Sequence, residues 1–139
     1  MGSILMKKII KVVGAILIKE GRILCAQRGG EKSLPYLWEF PGGKIEQGES
    51  PHQALIRELS EELLIEVELE ATIFDAVSYE YDFGVVNLTT IIGKLKSGEP
   101  VLTEHQEIRW LSPEELFEVE WAPADIPIVK QLSKMHFNQ

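Results

Sequence analysis

An arginine followed by three glutamates near the middle of the chain has the residue types and spacing that could hold a divalent cation. Glu58 and Glu62 are spaced i and i+4, and Glu61 lies between them, so in a helix their carboxylates lie close together beside Arg57. Like charges at such spacings weaken a helix by roughly 0.2–0.5 kcal/mol per pair. The cluster is therefore either a solvated acidic face or a site for a hard cation such as Mg²⁺, which prefers oxygen ligands.

The segment that carries these acids has the signals of a helix from Ser50 to about Leu64. Ser50 suits the N-cap, Pro51 suits the first helical position, and Gln53 can complete a capping box with Ser50. On a helical wheel, four apolar residues lie opposite the glutamates and are predicted to face the core: Leu55, Ile56, Leu59 and Leu63. We therefore expect an amphipathic helix with an acidic functional face.

The wider spacing around this helix resembles the signature of the Nudix hydrolase family. Residues 43–65 read G-x5-E-x7-R-E-L-x-E-E-x-L-I, against the family pattern G-x5-E-x7-R-E-U-x-E-E-x-G-U, in which U is aliphatic. Every fixed position matches except the last glycine, where Leu64 stands. Glycine at a helix C-terminus eases a left-handed turn. We therefore expect Leu64 to affect stability and the helix exit while the carboxylates stay in place.

The resemblance implies hydrolysis of a nucleoside diphosphate linked to a further group, with Mg²⁺ as cofactor and Mn²⁺ able to substitute. It also implies an α/β/α sandwich with a mixed central sheet and a loop–helix–loop catalytic motif. Four groups match metal ligands: Glu58, Glu62, the adjacent Glu61 and the backbone carbonyl of Gly42. Arg57 matches the residue that orients a carboxylate of the motif, for which Glu49 is the best candidate. The alternative for Arg57 is an ordinary surface ion pair.

Sequences on both sides of the motif resemble one branch of this family, the MutT enzymes and the related CTP pyrophosphohydrolases. They are LWEFPGGKIE at 37–46, EHQ at 104–106, WLSPEE at 110–115 and APADIP at 122–127. The resemblance implies a (deoxy)nucleoside triphosphate substrate, such as CTP, dCTP or oxidised dGTP, and the products nucleoside monophosphate and pyrophosphate. Two alternatives remain open. One is another nucleoside diphosphate derivative, such as ADP-ribose, a dinucleotide or a nucleotide sugar, and the other is a nucleotide-binding module without turnover.

Three residues outside the motif match positions near the metal and the phosphates in that branch. Glu104 matches a loop glutamate that joins the metal site or acts as a base, although it could also be an ordinary exposed acid. One of Glu61, Glu62 and Glu104 is expected to help deprotonate the attacking water. Arg28 and Lys44 match basic residues near the phosphates, and their alternative is an ordinary surface position.

Two further residues match positions near the nucleobase. Phe40 matches an aromatic that packs near the base, and its alternative is a place in the core. Asp125 matches the position that reads the base edge, and its alternative is the N-cap of the last helix. An ionised carboxylate only accepts hydrogen bonds, so it favours an amino group such as N4 of cytosine. A protonated one could also donate, which leaves oxidised guanine open.

The composition fits one domain that acts on a small nucleotide. The chain has 139 residues, of which 45% are hydrophobic, enough for a single core. Its net charge of −8 argues against binding a nucleic-acid polymer, which requires a basic surface. Cys25 is the single cysteine, which excludes an intrachain disulfide and favours a reducing, cytoplasmic setting. Lys11 interrupts the apolar run near the N-terminus, so neither a signal peptide nor a membrane span is expected.

The remaining pattern predicts the elements that must position these residues. Strands are predicted at 9–18, 22–27, 67–81 (as one strand or two), 85–95 and 108–111. Helices are predicted from Ser112 onward and from Asp125 to about His136. The Pro-Gly-Gly at 41–43 is predicted to break the regular secondary structure.

This order of elements indicates an α/β fold in one domain, residues 1–139, with a mixed sheet covered by helices on both faces. Residues 1–5 are interpreted as a non-native remnant or a disordered start, with Met6 as the native start. The protein is expected to be a monomer or a homodimer.

Overall fold

The computed structural model describes residues 7–137, so the interpretation of residues 1–5 and Met6 falls outside it. The elements in chain order are β1 Ile9–Lys19, β2 Arg22–Gln27, β3 Trp38–Glu39, β4 Gly42–Lys44, α1 Pro51–Leu63, β5 Glu66–Leu69, β6 Asp75–Tyr81, β7 Gly84–Ser97, β8 Glu107–Leu111 and α2 Ile126–Leu132. Short 3₁₀ helices, Pro113–Glu118 and Pro123–Asp125, lie between β8 and α2. All predicted strands are confirmed, and the region 67–81 contains two of them.

β1 lies near the centre of the sheet, and its alternating side chains build a core on each face. It pairs in parallel with β7 and antiparallel with β2 and β4, so the sheet is mixed. Val13 and Leu17 pack on the face covered by α1, whereas Ile16 packs on the face covered by α2 and the first 3₁₀ helix. The predicted mixed sheet with helices on both faces is confirmed.

Two predictions about local structure are wrong in part. The predicted break at 41–43 includes Pro41 only, because Gly42 and Gly43 form β4, in which Gly43 pairs with Val13 of β1. A side chain at Gly42 would overlap the Val13 carbonyl, so glycine permits this close approach of two strands. The last helix ends at Leu132 rather than near His136. Immediately after it, the Ser133 hydroxyl donates to the Lys130 carbonyl, a local hydrogen bond that favours helix termination.

α1 begins as the sequence predicts. The Gln53 N–H donates to Ser50 Oγ at 3.1 Å, and the Ser50 N–H donates to the Gln53 side chain at 2.9 Å, which completes the capping box. Three of the four predicted core residues are fully buried: Leu55, Leu59 and Leu63. Ile56 is 49% exposed, and Ala54 is buried instead. The buried face of α1 is therefore rotated away from Ile56.

This rotation changes where the glutamates lie. Glu58 and Glu62 are partly buried along the edge of the core, and only Glu61 is exposed to solvent. α1 packs against the glycine-rich β4 as well as against β1. A helical wheel considers only the hydrophobicity of the helix itself. It therefore could not show that the glycines of β4 leave room for carboxylates on the buried side.

Leu64 ends α1 in the left-handed conformation that the Nudix pattern assigns to glycine. Its φ and ψ are 57° and 40°, and its N–H donates to the Leu59 carbonyl. The Leu64 side chain is exposed, so little burial offsets the cost of a left-handed leucine, roughly 1–2 kcal/mol.

Leu64→Gly is therefore expected to raise the free energy of unfolding by roughly 0.5–1 kcal/mol, after the larger entropy of unfolded glycine is subtracted. For a domain of this size the melting temperature should rise by about 1–4 °C, while kcat stays within about twofold of wild type. Leu64→Ala is the matched control, because it removes the side chain but keeps the strain, and it should give no rise. A tenfold change in kcat would mean instead that Leu64 shapes the site.

Candidate active site

A cleft of about 600 Å³ brings together segments that are far apart in the chain. Its walls come from β1, β4, α1 and the β6–β7 hairpin, and from the residues before β3, β8 and α2. The lining includes eight of the sequence-predicted site residues: Arg28, Phe40, Gly42, Lys44, Glu58, Glu62, Glu104 and Asp125. Glu49, Arg57 and Glu61 are not among the residues that line the cleft, and Arg57 is connected to it through Glu58.

Arg57 joins three of the motif's carboxylates. It binds Glu49 in a bidentate manner, with Nε–Oε2 at 2.7 Å and Nη2–Oε1 at 2.9 Å, and its Nη1 donates to Glu58 Oε1 at 2.7 Å. The same Nη1 lies 3.1 Å from Glu61 Oε1. Hydrogen bonding from Arg57 is the main cause that lowers the pKa of Glu49 to about 2 and keeps this carboxylate ionised. The structure thus brings together the pair that was predicted, and the orienting role of Arg57 stays a prediction.

Glu58 lies directly against the backbone of β4. A methyl group at Gly43 would overlap the Glu58 carboxylate, so this glycine leaves room for an acid beside the strand. Because Arg57 holds Oε1 of Glu58, the carboxylate has a fixed orientation at the wall of the cleft. The two adjacent glycines therefore have separate roles: Gly42 allows two strands to approach closely, and Gly43 leaves room for the Glu58 carboxylate.

Glu62 lies between two other acids. Burial is the largest cause that raises its pKa to about 8, followed by the charge of Glu58 and hydrogen bonding to it, and then by Glu104. Three carboxyl groups that repel one another in a partly buried cleft are stabilised when a cation binds between them. A metal-free cleft instead favours a proton on Glu62.

These donors fit a divalent cation. Glu58, Glu62, Glu104 and the carbonyl of Gly42 offer only oxygen atoms, the ligands that Mg²⁺ takes. No group of three or more acidic, histidine or cysteine side chains within residues 7–137 is arranged to hold a metal ion by itself. Substrate phosphates and water, which usually complete the coordination of Mg²⁺, would therefore have to complete a site built on these residues.

The loop that carries Glu104 docks onto the C-terminal end of α1. The Val101 N–H donates to the Leu63 carbonyl at 3.0 Å, and the Thr103 hydroxyl donates to the Glu62 carbonyl. Farther along, the Gln106 N–H donates to the Gln27 carbonyl at 2.8 Å. Long-range backbone contacts at both ends of this loop thus place Glu104 beside Glu62, and local sequence did not predict them.

Glu39 and His105 are cleft residues that the sequence analysis missed. Glu39 accepts from Arg28 Nη1 at 2.8 Å, and its other oxygen lies 3.1 Å from His105 Nε2. The His105 side chain is only 5% exposed, and its Nδ1 is buried without a hydrogen-bond partner among residues 7–137. Arg28 also donates to the carbonyl and hydroxyl of Ser33. Two sequence signals could have found them. His105 follows Glu104 directly, and Glu39 lies within the LWEF segment.

Asp125 occupies the N-cap position of α2 but makes no capping hydrogen bond, so the capping alternative is wrong. Its Oδ2 instead accepts the Phe40 N–H at 3.1 Å, and Asp125 is only 6% exposed. Burial, and after it the charge of Glu39, raises the pKa of Asp125 well above its usual range. Phe40 is buried with its ring 4.9 Å from that of Trp121, so it belongs to the core and lines the cleft as well.

A family model described as the NUDIX domain matches residues 8–132. The chain belongs to the Nudix family. It is 42% identical over 126 residues to the CTP pyrophosphohydrolase of Escherichia coli K12, covering 88% of this chain and 90% of that protein. It is 33% identical over 130 residues to the 8-oxo-dGTP diphosphatase of the same strain, covering 94% and 100%.

Solved structures of Nudix proteins match the fold of this chain. A MutT protein from methicillin-resistant Staphylococcus aureus 252 is 49% identical, with a TM-score of 0.75 and coverage of 92% of this chain and 98% of that one. A MutT protein from Methanosarcina mazei Go1 has a TM-score of 0.83 at 25% identity, with coverage of 94% and 96%. The predicted family and the predicted α/β sandwich are confirmed, and the protein is a Nudix hydrolase.

Nudix hydrolases act on small-molecule nucleotide substrates and generally use divalent metal ions. Among residues 7–137, no helix is both long enough and apolar enough to cross a membrane.

Proposed function

We propose that this Nudix hydrolase is a Mg²⁺-dependent pyrophosphohydrolase of (deoxy)nucleoside triphosphates that works in the cytoplasm. CTP, dCTP and oxidised dGTP are the proposed substrates, and a nucleoside monophosphate and pyrophosphate are the products. One observation carries the proposal: a single cleft holds an acidic cluster suited to metal and phosphates and, separately, a buried carboxyl suited to a base edge. The names of the two Escherichia coli relatives, which refer to CTP and to 8-oxo-dGTP, support the same substrate class.

The proposed reaction is hydrolysis at an internal phosphorus. Bound Mg²⁺, held by Glu58, Glu62, Glu104 and the Gly42 carbonyl, would neutralise phosphate charge and lower the pKa of the attacking water. Glu62 or Glu104, with the more exposed Glu61 as the third candidate, accepts the proton that this water loses. The new phosphorus–oxygen bond replaces the bond to the leaving phosphate oxygen, and attack at either the α or the β phosphorus gives these products.

The two basic residues contribute in different ways. Lys44 is exposed at the end of β4 and lines the cleft, so its ammonium group can pair with the phosphates. Arg28 is already bound to Glu39 and Ser33, so it contributes a fixed positive charge. Lys32, which the sequence analysis did not single out, also lines the cleft, with its Nζ 3.8 Å from Glu104.

A substrate panel tests the proposal. The purified protein is incubated with Mg²⁺ and each of the common (d)NTPs, oxidised dGTP, ADP-ribose, NADH and a dinucleoside polyphosphate, and the products are separated and identified. We expect a nucleoside monophosphate and pyrophosphate from at least one triphosphate, at a kcat/KM above that of every other substrate class. A higher kcat/KM for ADP-ribose, NADH or the dinucleotide would overturn the assignment.

Asp125 is proposed to select the base. Its Oδ2 accepts a hydrogen bond from the Phe40 N–H. Within the described residues, no group is hydrogen-bonded to its other oxygen, Oδ1. In Asp125→Asn the amide oxygen can keep the bond to Phe40, which turns the NH₂ group toward the cleft. An oxygen that can accept is thereby replaced by a group that only donates.

We therefore expect Asp125→Asn to lower the ratio of kcat/KM for cytosine over guanine nucleotides by about 5- to 100-fold, the range of one base contact. The melting temperature should not fall, because the substitution removes a buried acid and keeps its hydrogen bond to the backbone. Both values are measured in wild type and variant, with Glu120→Gln as a control for an acid outside the cleft. An unchanged ratio would leave the base-reading residue unidentified.

A further inference from the structure

The turn of the β6–β7 hairpin presents an aromatic ring that the catalytic motif does not account for. Phe83 is 48% exposed, yet it lines the cleft together with Tyr81 and Asp125. An aromatic ring left half in water forgoes much of the free energy of burial. A large exposed apolar side chain at the mouth of a nucleotide cleft is therefore a candidate for contact with the ligand.

Phe83 is held in a defined orientation by its neighbour. The rings of Tyr81 and Phe83 are stacked, with centroids 4.9 Å apart and an interplanar angle of 7°. Tyr81 is nearly buried, and its hydroxyl accepts the Ala124 N–H at 2.8 Å, directly before Asp125. Tyr81 thus fixes one face of Phe83, and no other aromatic ring within residues 7–137 pairs with it.

The hairpin backbone keeps this ring close to β1. Gly84 has a φ of 152°, and a side chain there would contact the Lys8 carbonyl, which itself accepts the Val85 N–H at 2.8 Å. Ile10 and Val12 of β1 line the same cleft. The turn is therefore tied to the strand that forms the apolar wall, and Phe83 stands at the edge of that wall.

We propose that Phe83 stacks on the nucleobase at the mouth of the cleft and supplies binding energy that does not depend on which base is bound. The inference deepens the proposed function and rests on it for the substrate class. Every base has a π face, so stacking tolerates any base, whereas hydrogen bonds to a base edge discriminate. Phe83 therefore sets affinity, and Asp125 sets base preference.

Four variants test the proposal: Phe83→Ala, Phe83→Leu, Phe83→Trp and, as matched control, Tyr79→Ala. Tyr79 is also exposed and also packs against Tyr81, with centroids 4.7 Å apart, but it does not line the cleft. KM and kcat are measured for a cytosine and a guanine triphosphate. The Kd of CMP and of GMP is measured by calorimetry, which needs no turnover.

We expect Phe83→Ala to raise KM and both Kd values by about 5- to 100-fold, the equivalent of one lost base–aromatic stack. kcat should stay within about twofold, and the factor should be the same for both bases. Phe83→Leu should behave like Phe83→Ala, Phe83→Trp should retain wild-type affinity, and Tyr79→Ala should leave affinity unchanged. Equal effects of Phe83→Ala and Tyr79→Ala, wild-type affinity in Phe83→Leu, or a change confined to one base would each overturn the proposal.

The failure of the proposed function is a different result. In that case the wild type releases no pyrophosphate from any triphosphate, whatever happens at Phe83. The nucleoside monophosphate Kd values still decide whether Phe83 stacks, and a wild type that binds neither CMP nor GMP would overturn the stacking proposal as well.

Discussion

Glu62→Gln is expected to lower kcat on the order of 100-fold or more, because the amide keeps the shape of the side chain but loses the charge that binds metal or accepts a proton. The same change should not destabilise the metal-free protein. Burial, Glu58 and Glu104 raise the pKa of Glu62 to about 8, so the fold disfavours the ionised form. A carboxyl whose folded pKa lies above its unfolded value makes the protein less stable as pH rises from the unfolded pKa toward 8, and glutamine removes that penalty.

The measurements are steady-state kinetics with saturating Mg²⁺ and thermal melts in metal-free buffer at pH 8. Glu66→Gln on β5 is the matched control, because it neutralises an exposed acid just beyond α1 and should change neither value. A functional acid gives a variant that is inactive but at least as stable as wild type. A Glu62→Gln protein with near wild-type kcat would exclude Glu62 from the chemistry, and one with a lowered melting temperature would mark it as structural.

Removal of divalent metal should reduce turnover by more than about 100-fold, since the phosphates then lose both charge neutralisation and an activated water. The protein is treated with excess EDTA, and activity is measured before and after Mg²⁺ or Mn²⁺ is added back. Either ion should restore it, because both accept oxygen ligands in octahedral geometry.

EDTA already saturated with Mg²⁺ is the control for effects of the chelator itself, and a circular dichroism spectrum confirms that the metal-free protein stays folded. Turnover that persists in excess EDTA, with no stimulation by either ion, would refute the metal role of Glu58, Glu62 and Glu104. It would leave the family assignment intact and the proposed chemistry wrong.

The sequence by itself determined the family, the positions of most strands along the chain and the start of the catalytic helix. These depend on local rules: the β-branched apolar run of β1, the Ser50–Gln53 capping box, and a motif whose spacing follows the helical repeat. Such patterns can be recognised without knowing which element packs against them. For Leu64 the sequence predicted an altered helix exit, but its φ of 57° gives the left-handed turn that the pattern assigns to glycine, and the effect on stability stays a prediction.

Only the tertiary structure decided where the buried side of α1 ends, and how the acids meet. Ile56 was predicted to face the core and is exposed, whereas Gly43 of β4 leaves room for the Glu58 carboxylate beside the strand. Glu104 reaches Glu62 through a loop held at Leu63 and Gln27, contacts between distant parts of the chain that no local pattern encodes.

Around Asp125, too, the tertiary structure decided what the sequence could not. Asp125 had the right residue type for a helix cap, but its Oδ2 accepts a hydrogen bond from the Phe40 N–H instead. Glu39, His105 and Phe83 carried little or no signal, since a lone acid, histidine or phenylalanine has many ordinary positions. Packing places all three in the cleft, where they meet groups from distant parts of the chain that no local pattern could predict.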